Sequence, residues 1–369
     1  MPRASGVFQT TQALMRLKST RKLDTFEANY TLTPQVLGSG SCGQVRLAVQ
    51  RQTKKEFAVK IINKQVYRSQ KPNSDRYIVT EIDILRQVHH RNIVSLEAVY
   101  QTRENIYLVM ELAQGGELYE HLFVHGSYTE TDARHMVYQI LQGVMYLHLQ
   151  GIVHRDLKPE NLLLREPHPQ ADIMITDFGL SRILPSRSNS LLYTACGTVE
   201  YLAPEVLQGK GYGKPVDLWS VGVIVYCLLC GYTPFWGDDP PSLLANVLSG
   251  HYEFDPEHWS HISDEAKNLI TSLLQFDPDL RPTAAESLAH PWFRKPFYTA
   301  PVDLTQIVKT NLAAKRSMRR ALTVISAVQA FNGTKSKRLS KLNDWYQRVT
   351  KYMTLPNLTL VEQPAKSVG

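Results

Sequence analysis

The stretch His154-Arg155-Asp156-Leu157-Lys158-Pro159-Glu160-Asn161 decides how this chain is read, together with Asp177-Phe178-Gly179 and Ala203-Pro204-Glu205 downstream of it. Each short piece is common by itself, but their order and intervals are not. Upstream they are joined by Gly38-Ser39-Gly40-Ser41-Cys42-Gly43-Gln44-Val45 and by Ala58-Val59-Lys60. Taken alone, the G-x-G-x-x-G pattern has other readings: the opening of a dinucleotide-binding helix, or a glycine-rich turn with no ligand. The dinucleotide reading requires a helix directly after the glycines. Here Val45-Arg46-Leu47-Ala48-Val49 has strand character, and Ala58-Val59-Lys60 follows at the spacing of the next strand of a hairpin. Such a hairpin can lie over phosphates, because at each glycine nothing bulkier than hydrogen intervenes.

Working outward, residues 30–112 contain the β-type runs Val45–Val49, Phe57–Ile62 and Ile106–Met110. Between the last two lies one helical stripe, Ile78, Ile82, Leu85 and Val88. One helix among several strands predicts a small, mainly antiparallel lobe. Gln114-Gly115-Gly116 breaks the pattern and predicts a hinge. Beyond it the helical period dominates. Asp132–His148 and Val216–Leu229 read as buried helices, and Ser263–Leu274 begins at an N-cap serine without a full capping box. The predicted fold class is α+β. The predicted organisation is a flexible N-terminal segment over 1–29 and a two-lobed domain over 30–296. Its lobes cover about 30–112 and 116–296. A basic regulatory segment over 297–343 and a tail over 344–369 follow.

The motif set resembles that of the eukaryotic serine/threonine protein kinases, nearly without gaps over residues 30–296. The resemblance implies ATP and Mg²⁺ held between the lobes and transfer of the γ-phosphoryl group to protein hydroxyls. It implies that Gly38, Ser39, Gly40, Ser41, Cys42, Gly43 and Gln44 cover the phosphates. Lys60 holds the α- and β-phosphates, and Glu81 fixes Lys60; the alternative for Glu81 is a solvated helix charge. Asp177 and Asn161 supply oxygens to Mg²⁺. Asp156 accepts or orients the proton of the substrate hydroxyl. Lys158 reaches the transferring phosphate, and tyrosine-specific members usually lack it. Leu37, Val45, Ala58 and Leu163 wall the adenine, with Met110 behind. Backbone groups of Glu111 and Ala113 bond its edge, and Glu117 faces the ribose and the substrate groove. Thr198 bridges Asp156 and Lys158, and Glu205 pairs with Arg281 to hold the fold. The competing reading outside enzymes is a scaffold that keeps these residues without transferring phosphate. Cys42 reads as a small tolerated residue.

The same resemblance implies that Glu117 and Glu160 bind Arg three residues before the target, giving an R-x-x-S/T preference. Ala245 stands where some relatives carry an acid for Arg at minus two. Thr194 matches the activation-loop phosphosite, with Arg155 and Arg182 as its cationic receptors and an upstream kinase as the implied partner. A loop ordered without phosphate is the alternative.

Residues 305–332 contain no Gly or Pro and read as a helix stopped by Gly333. Between Leu304 and Asn343 there are nine Lys or Arg and no Asp or Glu. Met318, Leu322, Ile325 and Phe331 thread that basic stretch as anchors of the kind calmodulin wraps. The layout resembles the calcium/calmodulin-dependent kinase group, in which an autoinhibitory helix overlaps a Ca²⁺/calmodulin site. Met318 departs from that pattern, since an aromatic is usual there. Three further readings compete: permanent docking on the large lobe, a membrane-surface or nuclear-import patch, and a checkpoint-type relative without calmodulin control.

The formal charge of +7 resides in the flanks, leaving residues 30–303 net acidic. That argues against a nucleic-acid-binding core and favours basic peptide partners. No apolar run follows Met1-Pro2-Arg3-Ala4, so no secretory leader is expected, and Pro2 excludes N-myristoylation. The apolar run Val221–Leu229 is too short to span a bilayer. Cys42, Cys196, Cys227 and Cys230 show no metal-ligand spacing and read as reduced thiols of a cytoplasmic or nuclear protein.

Overall fold

The computed structural model describes residues 25–40, 43–70, 74–120, 128–168, 170–184, 191–194, 196–294 and 302–312. The N-terminal runs pair as one five-stranded antiparallel sheet in the order β1-β2-β3-β5-β4. The strands are β1 (Tyr30–Gly40), β2 (Gly43–Gln50), β3 (Glu56–Asn63), β4 (Leu96–Gln101) and β5 (Asn105–Glu111). Gly40 pairs with Gly43 where β1 and β2 meet. Gly43 has φ +139°, and a Cβ there would lie 2.1 Å from the Ile61 carbonyl oxygen, so the position accepts only glycine. β3 is the central strand. Lys60 therefore lies between Val45 of β2 and Leu108 of β5, held by ladders on both sides.

Among the described residues, three helices accompany this sheet: α1 (Phe26–Asn29), α2 (Lys64–Gln70) and α3 (Ser74–Gln87). The stripe read from the sequence is the buried face of α3, with Ile78, Ile82 and Leu85 each 1% exposed. Residues 25–29, expected within the flexible N-terminal segment, are instead an ordered helical turn and its cap. Thr25 caps α1, and Phe26 stacks on Tyr107 at 4.4 Å and on Tyr30 at 5.5 Å. One aromatic on a single helical turn has no period to read, yet it covers the outer face of the sheet. Nor is α3 the only helix between β3 and β4. α2 starts where Asn63 Oδ1 accepts the backbone N–H groups of Gln65 and Val66, and Tyr67 anchors it.

The C-terminal part is built on α4 (Glu130–Leu149), α5 (Pro215–Cys230) and α6 (Asp264–Leu273). Thr129 and Asp132 form a reciprocal capping box at the start of α4. Ser263 caps α6 by accepting from Ala266 N. α5 is buried at every position from Val216 to Cys230, which is why its sequence is apolar all round.

A further helix, α7, covers residues 305–312. Leu304, Val308 and Leu312 belong to the large core cluster. Asn311 Nδ2 donates to the Cys230 carbonyl at the end of α5 (2.8 Å), and Leu304 N donates to the Tyr128 carbonyl before α4 (2.7 Å). The root of the basic segment is thus packed into the large lobe. The remainder of the helix expected over 305–332, with Met318, Leu322, Ile325 and Phe331, lies outside the described residues, as do Ser41 and Cys42. Among the described residues no helix is long and apolar enough to cross a membrane.

Candidate active site

Between the sheet and the helices, three charged side chains converge. Lys60 Nζ lies 2.6 Å from Glu81 Oε1 on α3 and 3.0 Å from Asp177 Oδ1. Lys60 and Glu81 are 8% and 3% exposed, so their charges are compensated by each other and not by water. The ammonium of Lys60 holds the Asp177 carboxyl at about 2, against the opposing push of burial. Asp177 has φ 56°, a left-handed conformation that Asp tolerates better than most residues, and it caps the turn Phe178–Leu180 through Gly179 N. Phe178 is buried, with its ring edge-on to His154 at 5.1 Å between centroids.

The catalytic-loop stretch is held from below by Asp217 on α5. Its Oδ2 accepts His154 N at 2.9 Å and meets His148 Nε2 at 2.8 Å, while Oδ1 accepts Arg155 N at 2.9 Å. Burial pushes this carboxyl up, but the bond from His148, nearby imidazoles and the Arg155 amide leave it below the ordinary value. Arg155 itself has φ 71°, a strained turn that these bonds stabilise. One step further, Lys158 Nζ lies 3.0 Å from Asp156 Oδ2 and donates to Thr198 Oγ1 at 2.8 Å. Thr198 Oγ1 donates to Asp156 Oδ1 at 3.1 Å. Asn161 Nδ2 donates to the carbonyl and to Oδ2 of Asp156, at 2.8 and 3.2 Å. With its amide nitrogen engaged there, the oxygen of Asn161 is the atom suited to a cation. Asp177 offers a carboxylate that stays ionised. This hard-oxygen donor set, next to a lysine, fits Mg²⁺ and phosphate.

Leu37, Val45, Ala58, Met110 and Leu163 are each partly exposed, whereas the strand neighbours Val59, Val109, Leu162 and Leu164 are buried. Ala58 and Met110 pair across β3 and β5, and Glu117 bridges Leu163. A line of apolar side chains left partly open between the lobes suits a flat aromatic ring. Glu111 closes β5, and its N donates to the Ser95 carbonyl at 3.1 Å. Ala113 lies two residues on, and Glu160 is exposed on the turn Pro159–Asn161.

Thr194, Arg155 and Arg182 also come together, though not by direct contact among the described bonds. The Tyr212 hydroxyl accepts from Arg155 Nη1 (2.9 Å) and donates to the Thr194 carbonyl. The Arg182 guanidinium stacks 4.2 Å from the Tyr77 ring centre on α3. Burial and then the charge of Arg155 lower the Arg182 pKa. Glu205 and Arg281 form a buried two-pronged pair at 2.6 and 2.8 Å.

The protein kinase domain profile matches residues 32–293. The chain belongs to the protein kinase family. It is 45% identical over 276 residues to calcium/calmodulin-dependent protein kinase type 1 of Macrobrachium nipponense, covering 74% of this chain and 78% of that protein. It is 42% identical over 313 residues to the protein of that name from Caenorhabditis elegans, covering 83% and 88%. Myosin light chain kinase A of Dictyostelium discoideum is 45% identical over 258 residues, covering 70% and 86%. This kinase is therefore a serine/threonine protein kinase of the calcium/calmodulin-dependent group, with the antiparallel small lobe and helical large lobe of its family.

Sequence reading did not single out some residues of this kinase that hold the site. Asp217 was legible as a lone carboxylate in an apolar run. Tyr212 carried no local signal. Arg165 reaches Glu111 at the hinge with Nη1, donates to the Arg91 carbonyl with Nη2 (2.8 Å), and accepts Gln114 N on its own carbonyl (3.0 Å). Such stitching across distant segments has no spacing to read.

Proposed function

We propose that this kinase transfers the γ-phosphoryl group of Mg-ATP to Ser or Thr in R-x-x-S/T sequences, under the control of its basic C-terminal segment and Ca²⁺/calmodulin. The observation that carries the transfer reading is the Asp156–Lys158–Thr198 network beside the Lys60–Glu81 pair and Asp177. Bound Mg-ATP supplies the phosphoryl group and the divalent charge that offsets its oxygens. Lys60, fixed by Glu81, orients the α- and β-phosphates. Asp177 and Asn161 hold the metal. Asp156 receives or orients the proton of the substrate hydroxyl, and Lys158 neutralises charge at the transferring group. Leu37, Val45, Ala58, Met110 and Leu163 exclude water from the base. Glu117 and Glu160 take the substrate arginine, and the cations Arg155 and Arg182 receive phosphate placed on Thr194.

The regulatory part is supported by the names of the relatives and by the basic sequence that follows α7. It is tested by peptide phosphorylation with and without Ca²⁺/calmodulin, on the full chain and on a chain ending at residue 312. A silent full chain that calmodulin activates, with a shorter chain active throughout, is the expected result. Equal activity in all four samples rejects calmodulin control and leaves the transferase intact. A peptide array without Arg enrichment at minus three rejects the sequence preference. Loss of transfer in Asp156→Asn separates the enzyme from a scaffold.

A further inference from the structure

Arg155 is 5% exposed, and its backbone is fixed by Asp217. Its guanidinium donates through Nε to the Leu180 carbonyl at 2.6 Å and through Nη1 to the Tyr212 hydroxyl at 2.9 Å. Nη2 has no hydrogen-bond partner among the described residues. A phenol can accept one bond and donate another, and Tyr212 does both, since it passes its own proton to the Thr194 carbonyl. The Tyr212 backbone grips the same segment: Leu192 N donates to Tyr212 O at 2.8 Å, and Tyr212 N to Leu192 O at 2.9 Å.

Further along, Gly197 passes close to the catalytic loop. Gly197 has φ +113°, and a Cβ there would stand 2.7 Å from the Arg155 carbonyl oxygen, so the chain approaches as closely as its backbone permits. Thr198 follows directly and bridges Asp156 and Lys158. The path is pinned at Thr194 by a neutral hydroxyl and at Thr198 by the catalytic pair. Both ties are made by side chains of the protein itself. The spare Nη2 of Arg155 can still take a phosphate oxygen, which would add to the Tyr212 bridge without displacing it.

We propose that Tyr212 is a positioning residue that carries the phosphate-independent activity of this kinase. Its hydroxyl ties the Thr194 backbone to Arg155 and thereby sets Thr198 on Asp156 and Lys158. The inference deepens the reading of Thr194 as a phosphate acceptor and rests on it for one arm of its test.

That test compares wild type and Tyr212→Phe, in a chain ending at residue 312. Each is prepared without phosphate and with phosphothreonine incorporated at position 194, and is assayed on an R-x-x-S peptide. A neutral hydroxyl bonded to a cation predicts a loss in kcat of about tenfold or more without phosphate. With phosphothreonine the variant recovers to within about threefold of the matching wild type, because the spare guanidinium donor supplies the missing tie. No loss without phosphate overturns the inference. So does a loss that persists in full in a kinase whose wild type phosphothreonine activates, since that marks a merely structural tyrosine. If phosphothreonine does not raise wild-type activity, the Thr194 reading fails by itself. Amide hydrogen exchange then decides the Tyr212 inference: faster exchange confined to residues 191–198 in the unphosphorylated variant supports it, and unchanged or uniformly faster exchange overturns it.

Discussion

Leu304→Ala in a chain ending at residue 312 asks whether the root of the basic segment is core or tail. Leu304 is 1% exposed, and Val308 and Leu312, on the same face of α7, are 1% and 4% exposed. The substitution keeps the backbone bond from Leu304 N to the Tyr128 carbonyl and removes only packed methyl groups. A side chain so enclosed costs about 2–5 kcal/mol on truncation to alanine. The loss reaches that size only if residues 302–312 stay docked until the whole lobe unfolds. Were the segment to peel away first, the effect would be capped by its small local docking energy. Urea unfolding followed by tryptophan fluorescence measures this directly, as a fall in midpoint with unchanged m. A loss below about 1 kcal/mol would refute the reasoning and assign α7 to the detachable segment. The expected result also dictates where a regulatory truncation must fall. Ending the chain at 303 removes Val308 and Leu312 from the core and the Asn311 bond from the Cys230 carbonyl, so lost activity there would report damage to the lobe.

Three further expectations follow from the charged pairs. Glu81→Gln removes the buried carboxylate paired with Lys60 and should lower kcat/KM for ATP by about 10- to 100-fold; a change below about threefold in steady-state assays counts against Glu81 as the lysine's anchor. Lys60→Met removes the main cause of the low Asp177 pKa, so its titration should move up from about 2 toward the ordinary carboxylate range. In the wild type the ionised carboxylate adds stability above its unfolded pKa and loses it as pH falls through about 2, whereas the variant shows no such acid-range gain. An Asp177 carboxyl carbon whose NMR midpoint is the same in both proteins would disprove that cause. Glu205→Gln strands the Arg281 guanidinium, whose side chain is 0% exposed, and should cost about 3–5 kcal/mol in urea unfolding; a cost under about 1 kcal/mol is incompatible with a buried pair.

The parts of this kinase that were legible in its sequence are those in which one short segment carries its own signal. The α3 stripe repeats at helical spacing, so Glu81 could be set on a helix facing the strand of Lys60. The glycines of the β1–β2 turn announce a close approach, and Gly43 makes one with the Ile61 carbonyl. What escaped was built from pairs of distant segments or from elements too short to repeat. Phe26 is a lone aromatic that finds Tyr107. Arg165 finds Glu111 across the hinge. Asp217 is different in kind, because its signal existed. A carboxylate inside the all-apolar run of α5 can be stable only if buried donors surround it, and His148 with the amides of His154 and Arg155 are those donors.

That contrast bears on where control can enter. Asp217 is 0% exposed and holds the catalytic loop to α5 through buried bonds to the His154 and Arg155 amides. Glu81 and Tyr77 sit on α3, where they meet Lys60 of the sheet and the stacked Arg182. These contacts join different elements of the fold through side chains. Arg155 stands at the boundary: its amide belongs to the fixed system and its guanidinium to the exchangeable one. A change in the hydroxyl presented to that guanidinium is therefore expected to act on the Thr194 backbone and not on the amides that Asp217 holds.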